Sequence, residues 1–166
     1  MLASIIIGIF IYIIVAPVFI LIHEVGHAIG LLLTTKGSVA RIYLGQRELS
    51  DKVTLRIGRI HFYIIKWGYF GFCSFHTEKR MSKFQFVFFM LCGPFTSFIV
   101  SIGLVLLLVY NHSNPIVSNI ITALIIGNLF QFMVTIIPLK YPSWMKPYNG
   151  YQSDGYHILR TLKNYQ

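Results

Sequence analysis

Three long apolar runs constrain this chain more than any other feature. Residues 2–35 contain no Lys or Arg, and residues 84–110 and 115–139 carry no charge at all. Each run exceeds the roughly 20 residues that a helix needs to cross about 30 Å of hydrocarbon. A soluble domain is excluded on the same grounds, because only 11% of the 166 residues are charged where about 25% is usual. The first run lacks a basic n-region, is too long for a signal h-region and meets no small-residue cleavage site before its histidines, so it reads as a membrane helix. No linker, repeat or low-complexity tract divides the chain. We therefore expect one domain, 1–166, of a mainly α, multi-pass membrane protein: a three-helix transmembrane core (1–35, 84–110, 115–139), a short C-terminal segment (140–166) and an intervening loop (36–83).

The basic residues orient these spans. Ten of the fourteen Lys and Arg fall between positions 36 and 83, the other four are Lys140, Lys146, Arg160 and Lys163, and the 111–114 connection "NHSN" has none. Basic loops stay in the cytoplasm. The expected arrangement has the N-terminus and 111–114 outside, with 36–83 and 140–166 inside. The net charge of +9 is thus a topology signal with contact to anionic headgroups as a secondary effect. Nucleic acid is not an expected partner, because the charges are scattered through apolar sequence without a binding motif.

The 36–83 loop carries strand signals. Val53, Leu55 and Ile57 alternate with Thr54 and Arg56 at the period of a half-buried strand, and the following residues are rich in β-branched and aromatic side chains punctuated by Gly58 and Gly68. Two to four short strands are expected as a small β-rich insertion at the cytoplasmic membrane face, dipping into it. Such a sheet has an edge that can accept an extended peptide, and Val53, Leu55 and Ile57 are the candidate pairing residues. His61 and His76 read as interfacial or packing residues. Cys73 and Cys92 lack C-x-x-C spacing and read as packing residues rather than as a disulfide or metal pair.

Within the first run, "LIHEVGHAIG" places His23, Glu24 and His27 where an ionisable group costs about 2.5–3.5 kcal/mol. On a helix, His23 and His27 share one face, so both imidazoles can reach one ion while Glu24 sits beside a water on it. Zinc suits imidazole, and a catalytic zinc takes three protein ligands plus an open position. Two histidines leave one ligand to find. The five acids are Glu24, Glu48, Asp51, Glu78 and Asp154, and the middle three read as solvated charges of the basic loop. Leu33 stands where an eleven-residue metzincin pattern requires His. Asp154, which opens the last apolar stretch, is the candidate, with His157 one turn later as runner-up. The alternative without a metal is a hydrogen-bonded polar cluster that holds helices together. Pro17 and the pair Gly93-Pro94 read as kinking and packing devices in their helices.

HEVGH in a membrane helix, "CGPFTSF" in the next and Asp154-Gly155 after a third resemble the site-2 protease family of intramembrane zinc metalloproteases, over most of the chain from His23 to Gly155. The resemblance implies His23, His27 and Asp154 as ligands of one zinc per chain and Glu24 as the catalytic acid/base. It implies a core of three membrane helices and substrates that are membrane-embedded peptides or proteins. The expected setting is a bacterial cell membrane, with the active site toward the cytoplasm. The family's final block reads Asn-x-x-Pro shortly before Asp-Gly; here "TIIP" puts Thr135 at the substrate-orienting position, Asn128 lies too far upstream to match, and fifteen residues separate Pro138 from Asp154. No appended PDZ-like or nucleotide-sensing domain is expected. The function to test is zinc-dependent hydrolysis of peptide bonds in or near a membrane segment; the alternative is a membrane zinc-binding or immunity-like interaction protein without proteolysis.

Overall fold

The computed structural model describes residues 2–45, 53–64, 70–77, 79–110, 114–145 and 148–163, and over 2–7 and 9–12 the backbone only. Their elements are α1 (Leu2–Thr34), β1 (Val39–Leu44), β2 (Leu55–Ile57), β3 (Ile60–Ile64), β4 (Gly71–His76), α2 (Lys83–Tyr110), α3 (Pro115–Ile136) and α4 (Asp154–Lys163). Glu48, Asp51, Glu78 and positions 111–113 of the "NHSN" turn lie outside the described residues, so the readings made for them have no structural counterpart here.

Among the described residues, three helices are long and apolar enough to cross a membrane: Ile13–Thr34 within α1, and α2 and α3 in full. The first is central, with 61% of its span buried inside the protein against 22% for each of the other two. The exposed faces of α2 and α3 are apolar, among them Ile99, Leu106 and Val109 on α2 and Ile116, Ile126 and Phe130 on α3. Close approach of α1 and α2 rests on Gly26 and Gly30, one turn apart on α1. A Cβ at Gly26 would press on the Cys92 carbonyl and Thr96, and one at Gly30 on the Cys92 side chain. This is the small-x-x-x-small device by which membrane helices bring their backbones together.

Local chemistry fixes the helix ends. Ser82 and Gln85 form a capping box at α2: the Gln85 N–H donates to Ser82 Oγ (3.2 Å) and the Ser82 N–H to Gln85 Oε1 (2.8 Å). Asn114 caps α3 by accepting from the Ile116 N–H at 2.9 Å, with Pro115 in the first turn. The third apolar run was expected to stay helical to position 139, but α3 stops at Ile136. Ile137 is extended (φ −68°, ψ 127°) because it precedes Pro138. α1 has no basic residue in its last turn, and Arg59 supplies that charge from the sheet, donating to Thr35 O (2.9 Å) and Leu32 O (3.2 Å).

The four strands form one sheet in the order β2-β3-β1-β4, with β1 parallel to β3 and antiparallel to β4. β2 folds onto β3 through a two-residue turn in which Gly58 has φ +56°, a conformation that glycine adopts without strain. The sheet stands beside α1 rather than beyond its end. Ala40 and Ile42 pack in one cluster with Ala28 and Leu31, whereas Leu44 packs with Val15, Ala16, Phe19 and Ile20. β1 therefore runs back along α1 from the level of Leu31 toward that of Val15. Cys73 is buried in the first of these clusters and Cys92 lies against the glycines of α1; both are free thiols.

Candidate metal centre

α1 supplies His23 and His27 one turn apart, both nearly fully buried. α4 supplies Asp154, and Ser153 sets its position. The Ser153 hydroxyl donates to Ile137 O (2.7 Å) and accepts from the N–H groups of Leu139 (3.1 Å) and Tyr156 (3.2 Å). One buried side chain thus ties the end of α3 to the start of α4 and caps the latter. Asp154 begins α4, where the helix dipole favours an anion. Gly155 follows because the backbone at Ile136 leaves no room for a Cβ. The Asp-Gly pair is a reach and a clearance in consecutive residues.

Three donor atoms converge. His23 Nε2 lies 3.2 Å from Asp154 Oδ2, His27 Nε2 lies 3.4 Å from the same oxygen, and the two imidazole nitrogens are 3.1 Å apart. Metal–ligand distances of about 2.0–2.1 Å in a tetrahedral site place ligand atoms roughly 3.3 Å apart, so the triangle has the dimensions that a small tetrahedral ion imposes. Tautomers point the same way. His27 Nδ1–H donates to the Phe89 carbonyl at 2.8 Å, which leaves a lone pair on Nε2 in the neutral ring, turned toward the carboxylate of Asp154. Lone pairs facing one another in a buried site call for a positive charge between them. Among the described residues, His23, His27 and Asp154 form the one group of three or more that could hold a metal ion.

The surroundings hold the ligands. Ser97 Oγ lies 3.4 Å from His23 Nδ1, and Ser101 one turn on donates to the Ser97 carbonyl at 2.8 Å. Gly93 and the ring of His27 are so close that a Cβ at 93 would overlap the imidazole. Gly93 thus has a second use beside packing: it clears the space for the His27 ring.

The centre opens on a cavity of about 390 Å³ lined by residues of α1, β4, α2, α3, α4 and the 139–153 loop. Glu24 lines it and is 6% exposed. β4 passes so near that a Cβ at Gly71 would meet Ile20 and lie 2.7 Å from Glu24 Oε1. Thr135 lines the cavity, its hydroxyl donating to the Gln131 carbonyl at 2.8 Å. Asn128 is fully buried with Oδ1 unpartnered and does not line the cavity. His157 lines the cavity but its ring stands edge-on to Phe86 and outside the ligand triangle. Leu55 and Ile57 lie on β2, and Val53 just before it, at the edge of the sheet opposite β4. His61 on β3 and His76 at the end of β4 do not line the cavity either.

Sequence reasoning passed over three groups that the fold brings to this cavity: Gln131, one turn before Thr135, and the phenols of Tyr141 and Tyr148. Burial raises both phenols well above the usual tyrosine range, which keeps them protonated. Gln131 had a readable signal, since it shares a helix face with Thr135 in an otherwise apolar run. The tyrosines had none, because loop residues carry no periodicity. Compared with family models, with curated proteins and with solved structures, the chain has no match.

Proposed function

We propose that this chain is a zinc-dependent intramembrane endopeptidase, which hydrolyses peptide bonds in or near a membrane-embedded segment of its substrate. The observation that carries the reading is the triangle of His23, His27 and Asp154 with the Glu24 carboxylate on the same cavity, all within or against a helix long and apolar enough to span a bilayer. A polar cluster that served only to join helices would have no use for an acid one residue from the first ligand. The apolar outer faces of α2 and α3 support a lipid surrounding. The distribution of Lys and Arg supports the topology with the N-terminus outside and the 36–83 segment entering from the cytoplasmic side, its sheet reaching back along α1.

His23, His27 and Asp154 would hold the zinc, which when bound activates water at neutral pH and polarises the scissile carbonyl. The rest of the chemistry belongs to the chain. Glu24 takes the proton of the attacking water and returns it to the leaving amine. Phe89 O and Ser97 keep the two imidazoles turned toward the centre. Gln131 and Thr135 present polar groups to a bound backbone from the α3 side. Helical carbonyls are internally bonded, so the substrate unwinds before it reacts. β4, the edge beside Glu24, is better placed than β2 to hold it extended.

The test is cleavage of membrane peptides by the purified protein and by Glu24→Gln, with zinc measured in both. The expected result is about one zinc per chain in each and proteolysis in the first alone. Full activity in Glu24→Gln overturns the mechanism; zinc without cleavage in either form favours a zinc-binding interaction protein.

A further inference from the structure

β4 presents an outer edge to the cavity, and one rung of that edge is already taken. Gly45 N–H donates to Phe70 O at 2.9 Å, so with Leu44 opposite Gly71 the antiparallel alternation directs the backbone groups of Gly71, Cys73 and Phe75 away from β1. The Gly71 N–H donates to the Tyr148 hydroxyl at 3.1 Å, and that hydroxyl reaches the Gly71 carbonyl at 3.4 Å. A single phenol therefore engages both groups that a paired strand residue would engage.

Tyr148 arrives from the stretch between Pro138 and Asp154, whose base is fastened by its own backbone. Ser153 N–H donates to Leu139 O (3.0 Å), Tyr141 N–H to Tyr151 O (2.9 Å) and Gly150 N–H to Tyr141 O (3.2 Å). The phenol ring rests edge-on against Phe70 and tilted against Tyr141. Its hold on β4 thus consists of one hydroxyl and ring contacts, while the base has a ladder.

We propose that Tyr148 is a built-in clasp on the substrate edge: it occupies the Gly71 rung beside Glu24 until an extended peptide segment displaces it. This rests on the reading of the centre as a protease and adds its regulation. The physical reason for a clasp is that Gly71 is buried, and a bare N–H and C=O there would go unsatisfied whenever the edge stood empty. A phenol satisfies both, and an incoming strand replaces them with bonds of the same kind, so the exchange is close to neutral. Burial keeps the phenol protonated, as donation requires. An edge guarded in this way is also closed to chance pairing with other chains.

The experiment measures binding of a fluorescent membrane-segment peptide to the zinc-loaded Glu24→Gln protein in detergent, with and without Tyr148→Phe, together with amide exchange at Gly71. Tyr148→Phe is expected to tighten binding at least about five-fold, since the shorter of the two competing hydrogen bonds alone is worth about 1 kcal/mol. Gly71 exchange should quicken in the free variant and slow again on adding peptide. Tyr141→Phe, which leaves the hydroxyl at Gly71 in place, should change neither. Equal or weaker binding of the Tyr148→Phe form, at equal zinc content, overturns the clasp, as does tighter binding without renewed protection of Gly71. Absence of cleavage by the unsubstituted protein, with the clasp result as expected, would instead reject the protease reading alone.

Discussion

Gly93 of α2 and His27 of α1 stand so close that a methyl group at position 93 would share the space of the imidazole ring. Gly93→Ala must therefore push the ligand off its line or part the two helices. The expected outcome is a zinc affinity at least about ten-fold weaker, the scale on which displaced supports act, read by metal analysis after dialysis against a chelator. Retention equal to the unsubstituted protein would refute it.

Asp154→Ala removes the proposed third ligand and is expected to release most of any bound zinc, since two histidines fall short of the usual three. His157→Ala should leave metal content unchanged, because its ring lies outside the triangle. Metal loss in His157→Ala but not in Asp154→Ala would move the ligand one turn along α4.

Gly155→Ala tests how Asp154 is delivered. A Cβ there meets the Ile136 backbone, which cannot yield as a side chain can, so overpacking of about 1–3 kcal/mol is expected. The thermal midpoint of unfolding should fall and zinc should be lost with it; an unchanged midpoint would count against the packing of α4 on α3.

Gln131→Ala is expected to raise KM for a membrane peptide several-fold with zinc content unchanged, because the side chain faces the cavity without touching the ligands. Thr135→Asn should leave activity intact or raise it if position 135 orients the substrate. Complete loss of cleavage in a folded, zinc-loaded Thr135→Asn protein would remove that residue from the role.

Reporter fusions settle the orientation. A fusion at Ser113 should read as external and one at Asp51 as cytoplasmic, and the reverse pattern would invert the topology drawn from the Lys and Arg distribution.

The parts legible in the sequence were those governed by short-range rules. Run length announced three long apolar helices, and the four-residue interval between His23 and His27 announced a shared helical face. The alternation at Val53, Leu55 and Ile57 marked a half-buried strand. Leu55–Ile57 is a strand but exposed on both faces, because β2 lies at the outer edge of the sheet away from α1. Which edge meets the centre was not legible, because the order β2-β3-β1-β4 follows from pairings between distant segments rather than from any local pattern. The same holds for Tyr148, whose contact with Gly71 spans 77 residues. Gly26 and Gly30 were in plain view beside the histidines, but only a neighbouring helix turns that spacing into a contact surface.

His23 and Asp154 lie 131 positions apart, with the whole sheet and two further long helices between them, and this separation sets when the candidate centre is complete. At about 5–20 residues per second, a ribosome needs on the order of ten seconds after making the first ligand to make the third. Throughout that time α1 carries two of the three converging donors without the third. If the proposed function holds, an enzyme built in this order is inactive while it is being made and becomes competent only when Asp154 docks against the two histidines.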